Sequence, residues 1–151
     1  MGSSPLGTNI NSNGIGIEFH QGKICFSNKM ITYSNKFTDT PIRFSQNNSI
    51  LLCVRAPVGE VNITDRVICI GRGLAAITPL FNIETEFLFY WMQNFKAILN
   101  TKATGSTFAA ITANTVKSLT IPLPPLQEQK RILYTINTIF EVISDIGRGL
   151  N

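Results

Sequence analysis

Five isoleucines, Ile132, Ile136, Ile139, Ile143 and Ile146, recur at alternating spacings of four and three, the seam pattern of a helix that lies against another helix. Leu126, Leu133 and Phe140 form a second row seven apart beside it, so the apolar face is wider than a two-stranded seam. The pattern predicts a helix over 126–146. Pro122, Pro124 and Pro125 hold the preceding chain extended, Pro125 suits a first helical position that needs no amide, and Gly147 ends the run. A helix this apolar on one side needs a partner, either its own domain or a second helix.

Upstream the periodicity is different. Ile15, Ile17 and Phe19, then Ile24 and Phe26, alternate as short strands would, joined by the loop His20-Gln21-Gly22-Lys23. Residues 32–40 are rich in hydroxyl groups and have no period, the composition of an exposed recognition loop or of an ordinary surface loop. Ile50-Leu51-Leu52-Cys53-Val54 follows a turn signal and is continuously apolar, as a buried strand is; Val67-Ile68-Cys69-Ile70 and Ala75-Ala76-Ile77 repeat the pattern around Gly71-Arg72-Gly73. From Glu84 the period becomes helical, with Phe87, Leu88, Trp91, Met92, Phe95, Ile98 and Leu99 on one side. Trp91, Phe87 and Phe95 at that spacing read as core rather than as a base-stacking set. A short helical turn is predicted from Thr112 to Ser118. These elements predict an α+β domain: a twisted, mostly antiparallel sheet, one packed amphipathic helix and a protruding C-terminal coiled-coil-like helix. With 151 residues, 44% of them hydrophobic, one core is expected. Residues 1–8 look like a tag or a disordered lead, 9–124 form the domain, and 125–151 form the helix.

Several function classes are excluded. Three cysteines without CxxC spacing and one histidine give neither a zinc ribbon nor a disulfide framework, so a reducing, cytoplasmic compartment is expected; Cys53 and Cys69 sit in apolar runs as core residues. No apolar stretch approaches the length of a membrane span. Phosphate loops, dinucleotide fingerprints, HExxH and GxSxG are absent, and Glu128-Gln129-Lys130 reads as a solvated helix start rather than a nuclease carboxylate motif. No catalytic residue, metal site or cofactor is expected. A net charge of +4 leans toward phosphate partners.

Two runs carry a resemblance. Leu52-Cys53-Val54-Arg55-Ala56-Pro57-Val58-Gly59-Glu60-Val61-Asn62-Ile63, followed by Cys69-Ile70-Gly71-Arg72-Gly73-Leu74-Ala75-Ala76-Ile77, resembles the centre of the DNA-specificity (S) subunits of type I restriction-modification systems. Ile121-Pro122-Leu123-Pro124-Pro125-Leu126-Gln127-Glu128-Gln129-Lys130-Arg131-Ile132 resembles the junction between that family's target-recognition domain and its helix. Gly14-Ile15 and Phe19-His20-Gln21-Gly22-Lys23 resemble its early recognition segment. The resemblance covers most of residues 14–146. It implies a module that reads one half of a bipartite target in double-stranded DNA and guides methyltransferase (M) and restriction (R) subunits without doing chemistry. This chain would be about half of such a subunit, with a homodimer formed through the C-terminal helix.

Within that reading, Gln21 and Lys23 suit base contact, because Gln can pair adenine bidentately and Lys can reach guanine acceptors. Lys29, Arg43, Arg72, Lys102 and Lys117 are candidates for DNA contact, the last four for phosphate in particular, and Ser106 and Thr107 at a glycine turn could donate to a phosphate. Arg55 and Arg72 are equally open to structural roles, and any single Lys is also open to being a solvated charge. The subunit interface is expected at Ile132, Ile136, Ile139, Phe140 and Ile143. Two other readings remain open: the DNA-reading portion of a fused adenine methyltransferase, and an assembly module that dimerises through its helix.

Overall fold

The apolar run 50–54 becomes a central strand because both of its faces are covered. The computed structural model describes residues 1–104 and 109–149. In it β5 (Ser49–Cys53) pairs antiparallel with β6 (Val61–Thr64) and β8 (Leu74–Ile77), with Leu51 opposite Asn62 and Ala76. Ile50, Leu52 and Val54 face Leu88, Phe89, Met92 and Leu99. Leu51 and Cys53 face the other way, onto Ile31, Ile68, Ile70 and Leu74. A strand with no solvent face carries no polar alternation, and each large aliphatic side chain so buried contributes about 1.5–3 kcal/mol.

The second core belongs to a second sheet. β1 (Ile10–Asn11), β3 (Phe37–Thr38), β2 (Ile17–His20), β7 (Ile68–Ile70) and β4 (Phe44–Ser45) lie side by side in that order. Every pairing is antiparallel except β2 with β7, where Phe19 stands opposite Cys69 and His20 opposite Ile70. β7 turns through 71–73 straight into β8, so the sheets are joined at that corner. The expected α+β class holds, with the strands divided between two mostly antiparallel sheets rather than one.

Helices cover the outer face of the smaller sheet. The helix expected from Glu84 onward is two: α1 (Thr85–Gln93) and α2 (Lys96–Lys102), parted at Asn94–Phe95. The break has partners, since Asn94 Nδ2 donates to the Tyr90 carbonyl and Asn100 Nδ2 donates to the Val58 carbonyl at 3.0 Å, steering α2 onto the 58–59 corner. Leu99 is thereby buried while Ile98 stays exposed. Thr112 caps the short α3 (Ala113–Lys117) by accepting from the Thr115 amide.

α4 (Leu126–Gly149) runs past Gly147, where the sequence suggests a stop; Arg148 pairs with Asp145 one turn back and holds the last turn in helical form. Its start is pinned by Gln129, which is buried and uses its whole amide: Oε1 accepts from the Glu84 amide, and Nε2 donates to the carbonyls of Asn82 and Pro124. The solvated helix start expected at 128–130 is therefore corrected at its middle residue. A long amide can satisfy three backbone groups left over where two helix starts meet.

Part of the tag-like lead, residues 2–5, lies against the domain. The Gly2 amide donates to Leu74 at 2.8 Å, the Ser3 amide donates to Ile70 at 3.0 Å, and Pro5 is buried. A side chain at residue 2 would overlap the Gly71 carbonyl, so the small residues that resemble a tag are what lets this segment strap the β7–β8 corner. The strand expected at 24–26 is a 3-10 turn, Lys23–Cys25, closed by the Phe26 amide on the Lys23 carbonyl; Ile24, almost fully exposed, has no core to face.

Candidate nucleic-acid interface

Strand direction decides which of the candidate residues meet. β2 and β7 run parallel, so their carboxyl ends coincide, and His20 and Ile70 deliver Gln21 and the 71–73 turn to the same edge. The Ile70 amide donates to the Arg43 carbonyl, which brings Arg43 level with them. Arg55 leaves β5 at this edge and bridges Ala110, which in turn bridges Thr104, two residues after Lys102. Gln21, Lys23, Arg43, Arg55, Arg72 and Lys102 are all exposed here. Gln21, Lys23 and Arg55 line one depression of about 210 Å³ together with Gly22, Cys53, Ala56, Pro57 and Gly73. Among the described residues Arg43, Arg55, Arg72 and Lys102 have no ion-pair partner, whereas Lys23 lies 3.7 Å from Glu60, which is nearer Lys96 at 2.9 Å. Ser106 and Thr107 lie outside the described residues, between the bridged positions Thr104 and Ala110.

Two candidates stand elsewhere. Lys29 is on the helical side, 2.7 Å from Glu86 and 5.5 Å from the Tyr90 ring centroid, so its charge is already answered within the fold. Lys117 lies on α3 along a groove lined by Met1, Ala76 and Ile77, outside the depression that Gln21, Lys23 and Arg55 share. The hydroxyl-rich segment 32–40 is half stitched into the fold: Ser34 and Thr38 are buried, and Tyr33 is exposed under the Arg66 guanidinium at 3.9 Å. It stands at the amino ends of β2 and β7, opposite Gln21. The floor of the depression is inert, because burial, with Glu60 near, pushes the Cys53 thiol up to about 12 despite Lys23. Burial also raises Cys69.

Between the two sheet ends lies a buried polar network that sequence reasoning missed. Glu18 accepts from Arg66 Nε at 2.7 Å and Nη2 at 2.9 Å, from the Ser34 amide at 2.6 Å, and meets His20 Nε2 at 2.7 Å. Burial works to raise the Glu18 carboxyl, but Arg66, Ser34 and His20 together hold it below its ordinary value. Burial lowers His20, and the Glu18 carboxylate does not reverse that. A pH dependence follows with a definite sign. Below pH 6.5 the unfolded chain protonates His20 before the folded one does, and below 4.5 it protonates Glu18 first. In both windows the unfolded state binds more protons, so stability falls as pH falls. Denaturant midpoints should be flat between about pH 7 and 8, fall on alkalinisation past 9 as the buried thiols of Cys53 and Cys69 are forced to ionise, and decline in two stages on acidification, and His20→Gln should remove the upper acid stage alone.

The predicted interface residues of α4 divide into two groups. Ile132 and Ile136 line a groove of about 630 Å³ with Phe87, Tyr90, Trp91 and Pro122, against their own domain. Phe140 stacks on Tyr90 with centroids 6.1 Å apart yet stays 55% exposed, and Ile139, Ile143 and Ile146 are between 52% and 59% exposed.

Fold and surface together define an α+β module with a cationic rim and a projecting apolar helix. Among the described residues no group of three His, Cys, Asp or Glu converges as a metal site, and no helix is long and apolar enough to cross a membrane. The family described as "Type I restriction modification DNA specificity domain" matches residues 7–151. The MjaX type I restriction enzyme specificity subunit of Methanocaldococcus jannaschii is 40% identical over 146 residues, which are 95% of this chain and 34% of that protein. The HsdS subunit from Thermoanaerobacter tengcongensis superposes with a TM-score of 0.86 at 33% identity, over 100% of this chain and 36% of that one. A chain from a study of complex assembly and conformational transition in the type I R-M system also gives 0.86, at 35% identity, over 99% and 37%. This chain belongs to the type I restriction-modification DNA specificity domain family. It spans about a third of the length of these relatives.

Proposed function

We propose that this chain is a target-recognition module that reads one half-site of double-stranded DNA for a type I restriction-modification system in the cytoplasm. Methyl transfer and cleavage belong to M and R subunits, and no catalytic role is assigned to this chain. The observation that carries the reading is the exposed edge of Gln21, Lys23, Arg43, Arg55, Arg72 and Lys102, four of whose cations, all but Lys23, have no ion-pair partner among the described residues, on a chain of the DNA specificity family. Cations that answer no internal carboxylate are free to replace the counterions of a duplex, and family membership supports sequence reading on top of that grip. The division of labour is 9–124 for DNA and 125–151 for subunit contact, with the lead strapped to the former.

Selection of bound duplexes from a randomised pool, at low and moderate salt, tests the proposal. Enrichment of a short fixed sequence by the chain, alone or with an M subunit, is the expected result. Failure to bind any duplex at low salt would overturn it, and binding of S-adenosylmethionine by the chain itself would favour the fused-methyltransferase reading.

A second reading, assembly through the helix, has its own support in the exposed stripe Ile139, Phe140, Ile143 and Ile146. It adds to the first, since two copies paired through α4 would present two half-sites.

A further inference from the structure

Resting on the DNA-reading role proposed above, we infer that the Gln21–Lys23–Arg55 depression is a cradle for one backbone phosphate of the duplex rather than a base reader. Ser4 sets the chemistry of Gln21. Its Oγ accepts from the Arg72 amide at 3.1 Å, which leaves its hydroxyl proton to donate, and the acceptor it finds is Gln21 Oε1 at 2.9 Å. That bond orients the amide so that Oε1 is used internally and Nε2 is the group offered outward. The geometry is tight, since a Cβ on Gly71 would come within 2.7 Å of Gln21 Oε1 and 3.0 Å of Ser4 Oγ.

An adenine edge needs an acceptor beside the donor and a cytosine amino group needs an acceptor alone, so donors by themselves suit either the N7 and O6 of guanine or a phosphate, and charge and shape favour the phosphate. Gln21 Oε1 is turned inward onto the Ser4 hydroxyl, so the group Gln21 offers outward is the Nε2 donor, and Lys23 and Arg55 carry no acceptor at all. The side chains thus offer donors with two formal positive charges. Among the described residues the carboxylate paired with this group is Glu60, and it is nearer Lys96 than Lys23. Shape points the same way. Readers of the major groove project into a cleft roughly 8.5 Å deep, whereas Gln21 is folded back onto the amino-terminal strap at the wall of a concave surface. A donor-lined hollow receives the convex ridge of the backbone.

The test uses Gln21→Glu, which keeps the side-chain shape and still accepts the Ser4 hydroxyl while placing a negative charge where Nε2 stood. At moderate salt its affinity for the selected duplex should fall about tenfold or more, with the selected sequence unchanged. Arg55→Gln should lower the slope of log affinity against log salt by about one. Neutral methylphosphonates placed one at a time along the half-site should find a single position that weakens wild type and abolishes its advantage over Gln21→Glu. A changed base preference in Gln21→Glu, equal sensitivity at every phosphate, or unaltered binding would each overturn the cradle. If wild type binds no duplex at all, the DNA-reading role itself fails and takes the cradle with it.

Discussion

Arg66→Ala is expected to destabilise the domain by about 3–5 kcal/mol at neutral pH, because it strands a carboxylate that the fold has already taken out of water. Glu18 is 8% exposed and receives both Nε and Nη2 of Arg66; without them it keeps only the Ser34 amide and an uncharged His20. The same guanidinium donates to the Thr32 carbonyl and covers Tyr33, so the 32–36 segment should loosen together with the network. The loss should depend on pH in a direction opposite to that of wild type. With Arg66 gone, burial raises the Glu18 carboxyl above its unfolded value, so the folded state takes up a proton first and the deficit shrinks as pH falls toward 4. Urea denaturation of wild type and variant between pH 4 and 8 measures both effects. Adding Glu18→Gln to Arg66→Met should recover most of the loss, since removing both partners leaves no unpaired charge. A cost below about 1 kcal/mol with no pH dependence would mean that the pair behaves as a screened surface contact.

The part of the fold that was legible in the sequence is the part governed by continuous apolar runs and helical periods. β5 is continuously apolar from Ile50 onward because it is buried on both faces, and α4 begins where Pro125 permits. Residues whose role depends on tertiary partners were not legible. Glu18 and Gln129 look like solvated polar residues beside apolar neighbours, and only the fold brings Arg66 from β7's approach and Asn82 from the α1 approach to meet them. Ser4 was hidden by its tag-like neighbours, since small residues signal disorder and close backbone packing equally well. At the candidate site, the residue types at Gln21, Lys23, Arg43, Arg55, Arg72 and Lys102 were readable, and their placement depends on pairings that lie beyond any local pattern: β2 with β7 for Gln21 and Arg72, β4 with β7 for Arg43, and the bridges of Arg55 and Thr104 to Ala110. Lys29 carries the same charge but faces Glu86, a distinction no local pattern encodes.

Ile139→Asp with Ile143→Asp should turn a dimer of this chain into a monomer without unfolding it. The two isoleucines are 52% and 58% exposed on the protein as it stands, and they lie four apart on α4 on either side of Phe140, which stacks on Tyr90. Ile132 and Ile136 are poor choices for this test because they line the groove against Phe87 and Trp91, where a carboxylate would damage the domain itself. Two helices meeting through their outer stripes would bury apolar surface on both copies, and an Asp at each seam position would place like charges in that contact. Light scattering or sedimentation should show the mass halving, while the thermal midpoint of the domain, followed by the near-ultraviolet signal of Trp91, should stay nearly constant at low concentration. DNA binding gives a second readout. A dimer engaging two half-sites gains effective concentration from the linkage, so the double variant should lose affinity for a two-site duplex far more than for a single half-site. A monomeric wild type, or an unchanged mass in the variant, would mean that the exposed stripe is covered by a different partner and that the two-fold particle does not form through α4.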